Sequence, residues 1–143
     1  MKTQLLKPIL LAAAIFALAG CTSFESKWAA AVRLPSLASD PQGAWIGSWQ
    51  NTNNSHGGAL RAILEPRSAT RYVATFHATW GDQSGSFTTQ LKGTRAGNTL
   101  TFEGRKRLLG FLIRNAGQVS PTNFASTYES RFDTGTFTLR RPE

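Results

Sequence analysis

Cysteine and acidic residues are both scarce in this chain of 143 residues. There is one cysteine, Cys21, and there are eight aspartates and glutamates against sixteen lysines and arginines. A lone cysteine excludes an internal disulfide, so the fold must be held by its core. The acidic residues are scattered singly, and Glu103, Glu129 and Asp133 show no spacing that pairs them. The sequence therefore offers no pair of carboxylates for acid–base catalysis.

Clusters of metal ligands are missing as well. The two histidines are His56, in a glycine-flanked loop, and His77, on the outer face of a predicted strand, and neither has carboxylates or thiolates nearby in sequence. A metal site needs three or four convergent ligands. We therefore expect both histidines to be exposed to solvent, and the sequence predicts no metal and no cofactor.

Motifs for nucleophilic catalysis and for phosphate binding do not occur either. The strand-turn-helix element with G-x-S-x-G is missing, and no glycine-rich loop leads into a helix. Residues 132–136, FDTGT, resemble the active-site loop of aspartic proteases, but that carboxylate dyad needs two such loops and the chain has one. We interpret this segment as a hairpin turn and predict no enzymatic activity.

The hydrophobic run near the start of the chain, residues 9–18, is too short to cross a membrane. It has about ten residues, whereas a transmembrane helix needs roughly 20. Lys2 and Lys7 precede the run and small residues follow it, which is the order of regions in an export signal. The sequence therefore predicts a cleaved signal peptide over residues 1–20.

Residues 18–21, Leu-Ala-Gly-Cys, closely resemble the lipobox of bacterial lipoproteins. The resemblance implies that Cys21 becomes the first residue of the mature chain and is acylated on its sulfur and amine. Several acyl chains together hold a protein durably on a bilayer. Thr22 is not the aspartate associated with inner-membrane retention, which implies the outer membrane, facing the periplasm. An ordinary secreted protein, or a structural or reactive Cys21 thiol, are the alternatives.

The net charge of +8 falls to about +6 when the signal peptide and its two lysines are removed. A basic balance of this size suits anionic lipid or polysaccharide surfaces, or nucleic acid. Because an envelope lipoprotein rarely meets nucleic acid, we predict the membrane and an anionic envelope surface as partners, and no nucleic acid.

Residues 21–42 are rich in alanine, serine and proline, which is typical of a tether. A short helix is conceivable around Phe24, Trp28, Ala31 and Val32. Trp28 is expected either to dock on the following domain or to lie at the lipid interface.

From residue 43 to residue 143 the hydropathy alternates with period two, as in half-buried strands. In RYVATFHATW, residues 71–80, large and small residues alternate on the inner face, as a small barrel requires. Turn signals separate about eight such segments, with no helix among them. The sequence predicts an all-β domain, an antiparallel up-and-down barrel of about eight short strands, with a two-sheet sandwich as the alternative.

The first predicted strand, GAWIGSW, places Trp45 and Trp49 on one face. Residues 43–45, Gly-Ala-Trp, resemble the glycine-x-tryptophan signature that begins the first strand of lipocalins and their calycin relatives. The resemblance implies a barrel that carries a ligand and a late basic residue that packs across the tryptophan. Arg140 and Arg141 are both placed to supply this residue, and the strand alternation favours Arg141.

The inward aromatic residues suggest a binding module for a small apolar or amphipathic ligand. Its predicted cup is lined by Trp45, Trp49, Tyr72, Phe76, Trp80, Phe87, Phe102, Tyr128 and Phe137.

Residues 104–114, GRKRLLGFLIR, break the alternation. Arg105, Lys106 and Arg107 adjoin a continuous apolar run, which indicates either a strand covered on both faces, for example by the tether, or an outer face that meets a partner. Basic residues beside apolar ones suit an anionic membrane surface. The second functional hypothesis is therefore a non-enzymatic structural or interaction lipoprotein that uses its basic outer surface.

Overall fold

A computed structural model of the protein describes residues 23–35, 40–108 and 110–143, without the side chain of Leu108. One helix, α1, spans residues 23–33. Eight strands follow it: β1 (Gly43–Asn51), β2 (Gly57–Ser68), β3 (Arg71–Trp80), β4 (Gln83–Ala96), β5 (Thr99–Leu108), β6 (Phe111–Val119), β7 (Asn123–Glu129) and β8 (Thr134–Arg140).

The eight strands form a closed antiparallel barrel in which each strand pairs with its neighbours in sequence. The barrel closes because β1 also pairs with β8, with Gly47 opposite Leu139 and Trp49 opposite Phe137. Closure leaves no sheet edge that could pair with another chain. The predicted up-and-down barrel is thus confirmed, and the sandwich alternative is excluded.

Period-two alternation places one side of every strand inside the barrel. Across β3 and β4, for example, Tyr72 faces Leu91 and Phe76 faces Phe87. The buried interior cluster is large and apolar. Its members are Trp45, Leu60, Ala62, Leu64, Tyr72, Ala74, Phe76, Leu91, Leu100, Phe102, Val119, Phe124, Phe137 and Leu139.

Gly47 permits a close approach of strands β1 and β8. A Cβ atom on Gly47 would lie 2.0 Å from the carbonyl oxygen of Thr138 and 2.9 Å from the Cα atom of Leu139. Both of these atoms belong to backbone, which cannot move aside as a flexible side chain can. Glycine between two inward indoles therefore allows the first strand to bend into the barrel wall.

Helix α1 packs on the outside of the barrel. Phe24 and Ala31 are buried together with Ala44 and Ile63, and Trp28 packs against this cluster. The short helix expected in the tether is therefore present, and of the two positions considered for Trp28 the structure shows docking on the domain. The predicted lipid-anchor residue Cys21, the predicted signal peptide over residues 1–20 and residues 36–39 of the predicted tether lie outside the described residues.

His77 is buried beneath α1, with 7% of its surface exposed, so the expectation that it faces solvent is wrong. The Phe24 ring stacks on the imidazole with 4.7 Å between centroids, and the imidazole Nδ1 lies 2.7 Å from the Ser86 hydroxyl. Sequence alternation placed His77 correctly on the outer face, but it could not show that a helix covers that face. His56 is exposed as expected.

The apolar run at residues 108–113 is not covered by the tether helix, because α1 lies over β1, β2 and β3 instead. Of its described residues, Leu108 ends β5 and Phe111 begins β6. Phe111 remains exposed. In the described part of the chain, no helix combines the length and hydropathy needed to span a bilayer.

Candidate ligand-binding cup

The two ends of the barrel are built differently. We call the end with the β2–β3, β4–β5 and β6–β7 connections the closed end, and the end with the β1–β2, β3–β4, β5–β6 and β7–β8 connections the open end. The first strand begins at the closed end and the last strand returns to it. Both chain termini of the barrel are therefore available to cover that end.

Trp45 and Arg141 plug the closed end. Trp45 is completely buried and its Nε1 atom donates a hydrogen bond of 2.9 Å to the carbonyl of Pro41. The guanidinium of Arg141 lies 4.1 Å from the centre of the indole ring. It also donates hydrogen bonds to the carbonyls of Asp40 and Ala44, at 2.9 and 3.2 Å. The predicted stacking of Arg141 on Trp45 is confirmed.

Phe124 fills the middle of the barrel. Its ring makes edge contacts with Trp45 at 5.7 Å, Phe102 at 5.5 Å and Phe137 at 5.5 Å between centroids. It also lies 6.3 Å from Phe76. Aromatic pairs in such edge geometries add to the stabilisation that burial alone provides. These rings form the floor on which a cavity at the open end rests.

The open end holds a cavity of about 450 Å³. Volumes of roughly 300–1,000 Å³ are usual for small-molecule sites. The wall is predominantly apolar and comes from seven of the eight strands and from the β7–β8 loop. The lining residues are Trp49, Leu60, Phe76, Ala78, Trp80, Gly85, Ser86, Phe87, Ile113, Asn115, Tyr128, Asp133 and Phe137. We call this cavity the cup.

Six of the nine predicted ligand-lining residues line the cup, and three do not. Those in the wall are Trp49, Phe76, Trp80, Phe87, Tyr128 and Phe137. The other three, Trp45, Tyr72 and Phe102, are each at most 1% exposed in the solid closed half of the barrel. The predicted cup is therefore too deep. Alternation identifies which side chains point inward, but it does not show which part of the barrel interior they fill completely.

Residues that the sequence analysis did not assign to the cup complete it. Ile113 and Asn115 reach it from β6, where a continuous apolar run obscured the alternation. Asp133 reaches it from the β7–β8 loop. Of the predicted turn at residues 132–136, the first two residues lie in this loop and the other three begin β8. The sequence does contain a signal that Asn115 points inward, because it lies an even number of residues before the inward-facing Val119 in β6.

Asn115 has an unpartnered side-chain oxygen in the cup wall. The residue is 4% exposed, and its Oδ1 atom has no hydrogen-bond partner among the described residues. Buried polar groups are almost always hydrogen-bonded, so such an exception calls for an explanation. The amide can also turn over and offer its NH2 group at the same position. Asn115 is therefore a buried polar group in a predominantly apolar wall.

Polar groups at the mouth of the cup are hydrogen-bonded to one another. The Tyr128 hydroxyl donates to the Asp133 carboxylate at 3.4 Å, and the amide of Asn51 donates to the other carboxylate oxygen. Burial, with the nearby Asp133 charge as a further cause, raises the pKa of Tyr128 to about 12. The phenol thus stays protonated at neutral pH and remains a hydrogen-bond donor.

The indoles of the cup present apolar surface because their N–H groups are already used. Trp49 Nε1 donates a hydrogen bond of 2.9 Å to the Thr79 carbonyl, and Trp80 Nε1 donates one of 2.8 Å to the Gln83 side chain. No group of three or more His, Cys, Asp or Glu side chains within residues 23–35, 40–108 and 110–143 is arranged to hold a metal ion. The wall is suited to an apolar body rather than to an ion.

The predicted surface-contact residues Arg105, Lys106 and Arg107 lie near the open end of β5 and are exposed. Lys106 pairs with Ile113 of the cup wall, and Arg105 pairs with Arg114. The three cations therefore sit beside the mouth of the cup.

Designed β-barrels share this fold. A de novo designed fluorescence-activating β-barrel matches 76% of this chain and 100% of its own length, with a TM-score of 0.57 and 15% identity. A redesigned β-barrel, mFAP1, solved bound to DFHBI, matches 78% of this chain and 98% of its own, with a TM-score of 0.55 and 21% identity. No protein-family model and no curated protein matches the chain. At these identities the similarity shows the fold alone.

Proposed function

We propose that the protein is a non-enzymatic binding module that holds a small, largely apolar ligand in the cup and is anchored to the cell envelope, at the outer membrane facing the periplasm, through acylated Cys21. The observation that carries the binding proposal is the unpartnered side-chain oxygen of Asn115 in the wall of a predominantly apolar cavity of about 450 Å³. A buried amide without a partner destabilises the empty protein. A ligand that hydrogen-bonds Asn115 would relieve this cost.

The chemistry of the wall defines the ligand class. Aromatic and aliphatic side chains cover most of the cup, so the ligand has an apolar body that fits beside Phe76 and Phe87. One polar group on the ligand meets Asn115, and the Tyr128 hydroxyl and Asp133 offer further hydrogen bonds at the mouth. A designed barrel of similar fold has been solved bound to DFHBI, which supports a barrel of this size as a ligand carrier.

Binding can be tested with the fluorescent apolar dye anilinonaphthalene sulfonate and two matched variants. Ala78→Phe places a ring in the cup, whereas Gln90→Phe places one on the exposed outer face of β4. We expect saturable one-to-one binding by the unmodified protein and by Gln90→Phe, and at least tenfold weaker binding by Ala78→Phe. Equal binding by all three proteins, or no saturable binding by the unmodified one, would contradict the proposal.

The anchor is tested separately by the mass of the chain recovered from a bacterial host. The proposal requires a chain that starts at Cys21 and carries the mass of acyl groups, and a Cys21→Ser variant that carries none. A recovered chain with a free Cys21 thiol would rule out the anchor while leaving the cup proposal intact.

A further inference from the structure

Exposed aromatic side chains cluster at the open end. Five large hydrophobic side chains are exposed in the described part of the chain. Three of them lie around the mouth: Trp80 ends β3, Phe111 begins β6, and Phe132 lies in the β7–β8 loop. They are 42%, 40% and 69% exposed, respectively. The rings of Phe111 and Phe132 contact each other edge to face at 4.8 Å. Together these three side chains form what we call the aromatic rim.

Four cations lie beside the Phe111 and Phe132 part of the aromatic rim. Arg105, Lys106 and Arg107 lie on the last part of β5, and Arg131 lies in the β7–β8 loop with its guanidinium 5.6 Å from the Phe132 ring centre. None of these four forms an ion pair within the described residues. Aromatic side chains at the level of lipid headgroups, flanked by Lys and Arg, are typical of surfaces that bind anionic bilayers.

Helix α1 begins nearer the open end of the barrel and ends at the closed end. Its last turns lie beside Ala44, at the closed end, while Phe24 near its start stacks on His77, three residues before Trp80 in β3. Three strand residues span about 10 Å. Cys21 precedes Phe24 by three residues, and three residues of extended chain also reach about 10 Å. An acyl group on Cys21 can therefore lie in the plane of the aromatic rim.

We propose that the open end docks on an anionic phospholipid bilayer, with the aromatic rim at the headgroup level and Arg105, Lys106, Arg107 and Arg131 against lipid phosphates. The cup then opens toward the membrane, so its ligand is an amphipathic molecule exchanged with the bilayer. This inference rests on the proposed function, since it uses both the cup and the Cys21 anchor. The charge of the rim and the direction of α1 favour a bilayer over a second copy of the chain.

The test measures which end of the barrel faces the lipid. Ser84→Cys, near the mouth, and Ala69→Cys, in the β2–β3 turn of the closed end, are both exposed and neutral. The full chain carrying either substitution is labelled with a polarity-sensitive dye and reconstituted with vesicles of phosphatidylcholine alone or mixed with phosphatidylglycerol. The parent chain gives the labelling background of Cys21. Headgroup-spin-labelled lipid quenches a dye that touches the membrane surface.

We expect quenching at residue 84 to be at least threefold stronger than at residue 69, in the phosphatidylglycerol vesicles and not in phosphatidylcholine alone. Phe111→Ser combined with Phe132→Ser should reduce quenching at residue 84 to the level at residue 69. Arg105→Gln combined with Arg107→Gln should do the same without removing an apolar group, which covers the case that the first pair fails to fold.

Equal quenching at the two ends, or stronger quenching at residue 69, would overturn the docking proposal. So would a dimer that shields the residue 84 label before lipid is added, because the rim would then be an interface between copies. Dye binding in the cup is measured on the same preparations. One-to-one dye binding together with equal quenching at the two ends would support the proposed binding function and contradict the docking proposal.

Discussion

The two halves of the barrel are made from the same strands and the same alternating pattern, yet one half is solid and the other is hollow. In the closed half, Trp45 on β1 and Phe102 on β5 are at most 1% exposed. In the open half, Trp49 on β1 and Phe87 on β4, the neighbour of β5, are only partly buried. The difference comes from what covers each end. Arg141 and the carbonyls around it seal the closed end, and the connections at the open end surround a cavity.

The largest effect is expected from truncating an aromatic residue in each half. Phe102→Ala should lower the free energy of unfolding by about 3–5 kcal/mol, because the cavity it leaves is enclosed. Phe87→Ala should cost roughly 1–2 kcal/mol, because Phe87 already borders open space and stacks on one ring, Phe76. Urea unfolding measures both. Equal losses would mean that the two halves are packed alike, which contradicts a hollow open end.

This contrast also marks the limit of what the sequence predicts. Alternation identified the strands, the antiparallel barrel and the inward aromatic residues, since each of these depends on local periodicity. How deep the cup extends depends on Phe124 and on the Arg141 seal, which join β7 and the chain end to Trp45 in β1. Contacts of such sequence separation leave no periodic signal, so Trp45, Tyr72 and Phe102 could not be assigned to the solid half beforehand.

The seal of the closed end provides the second comparison, between two adjacent arginines. Arg141→Met should remove the contact with the Trp45 ring and the hydrogen bonds to three carbonyls, those of Asp40, Ala44 and Pro121. Charge-assisted hydrogen bonds contribute about 1.5–3 kcal/mol, so we expect a loss of about 2–3 kcal/mol in chemical unfolding. Arg140→Met, at an exposed position, should change stability by less than about 0.5 kcal/mol. Similar losses from both would show that the seal does not stabilise the closed end.

The open end should respond in the opposite sense when its polar point is removed. Asn115→Leu replaces the unpartnered amide by an apolar group of similar volume, so the empty protein should become more stable by about 1–2 kcal/mol. The same variant should lose affinity for ligands that hydrogen-bond the amide, and keep affinity for purely apolar ones. Thermal unfolding and dye titration measure the two effects. A loss of stability would mean that the Asn115 amide has a partner in solution.

The contacts between α1 and the barrel wall likewise could not be predicted from the sequence. The composition of residues 21–42 predicts a tether, and the helix within it was visible only as a spacing of apolar residues. Its attachment depends on Arg61, which lies 4.9 Å from the Phe24 ring and 5.2 Å from the Trp28 ring and also pairs with Glu25. Arg61 on β2 is 36 residues from Glu25, so this pairing leaves no local signal in the sequence.

The smallest expected effect is a pH dependence of α1 docking that acts on the end of the helix nearest the mouth. Burial, with the Arg61 charge as a further cause, holds the pKa of His77 below its ordinary value of 6.5. With the helix undocked, His77 binds a proton more readily than with the helix docked. Docking is therefore strongest above pH 6.5 and weakens as the pH falls below it. The hydrogen bond from Arg61 lowers the pKa of Glu25 below its ordinary 4.5, so Glu25 stays ionised throughout the range from about pH 5 to about pH 7 in which His77 is expected to titrate.

Trp28 reports this docking because it packs against the Phe24 cluster. We expect its emission, taken as the difference from a Trp28→Phe variant, to shift toward that of an exposed indole between pH 7 and pH 5. His77→Phe keeps an aromatic ring beneath Phe24 but cannot titrate, and it should abolish the shift. Among the described residues, the cluster around Ala44 contains no histidine. The start of α1 at Phe24 should therefore loosen before its end at Ala31. An unchanged pH profile in His77→Phe would assign the loosening to another group.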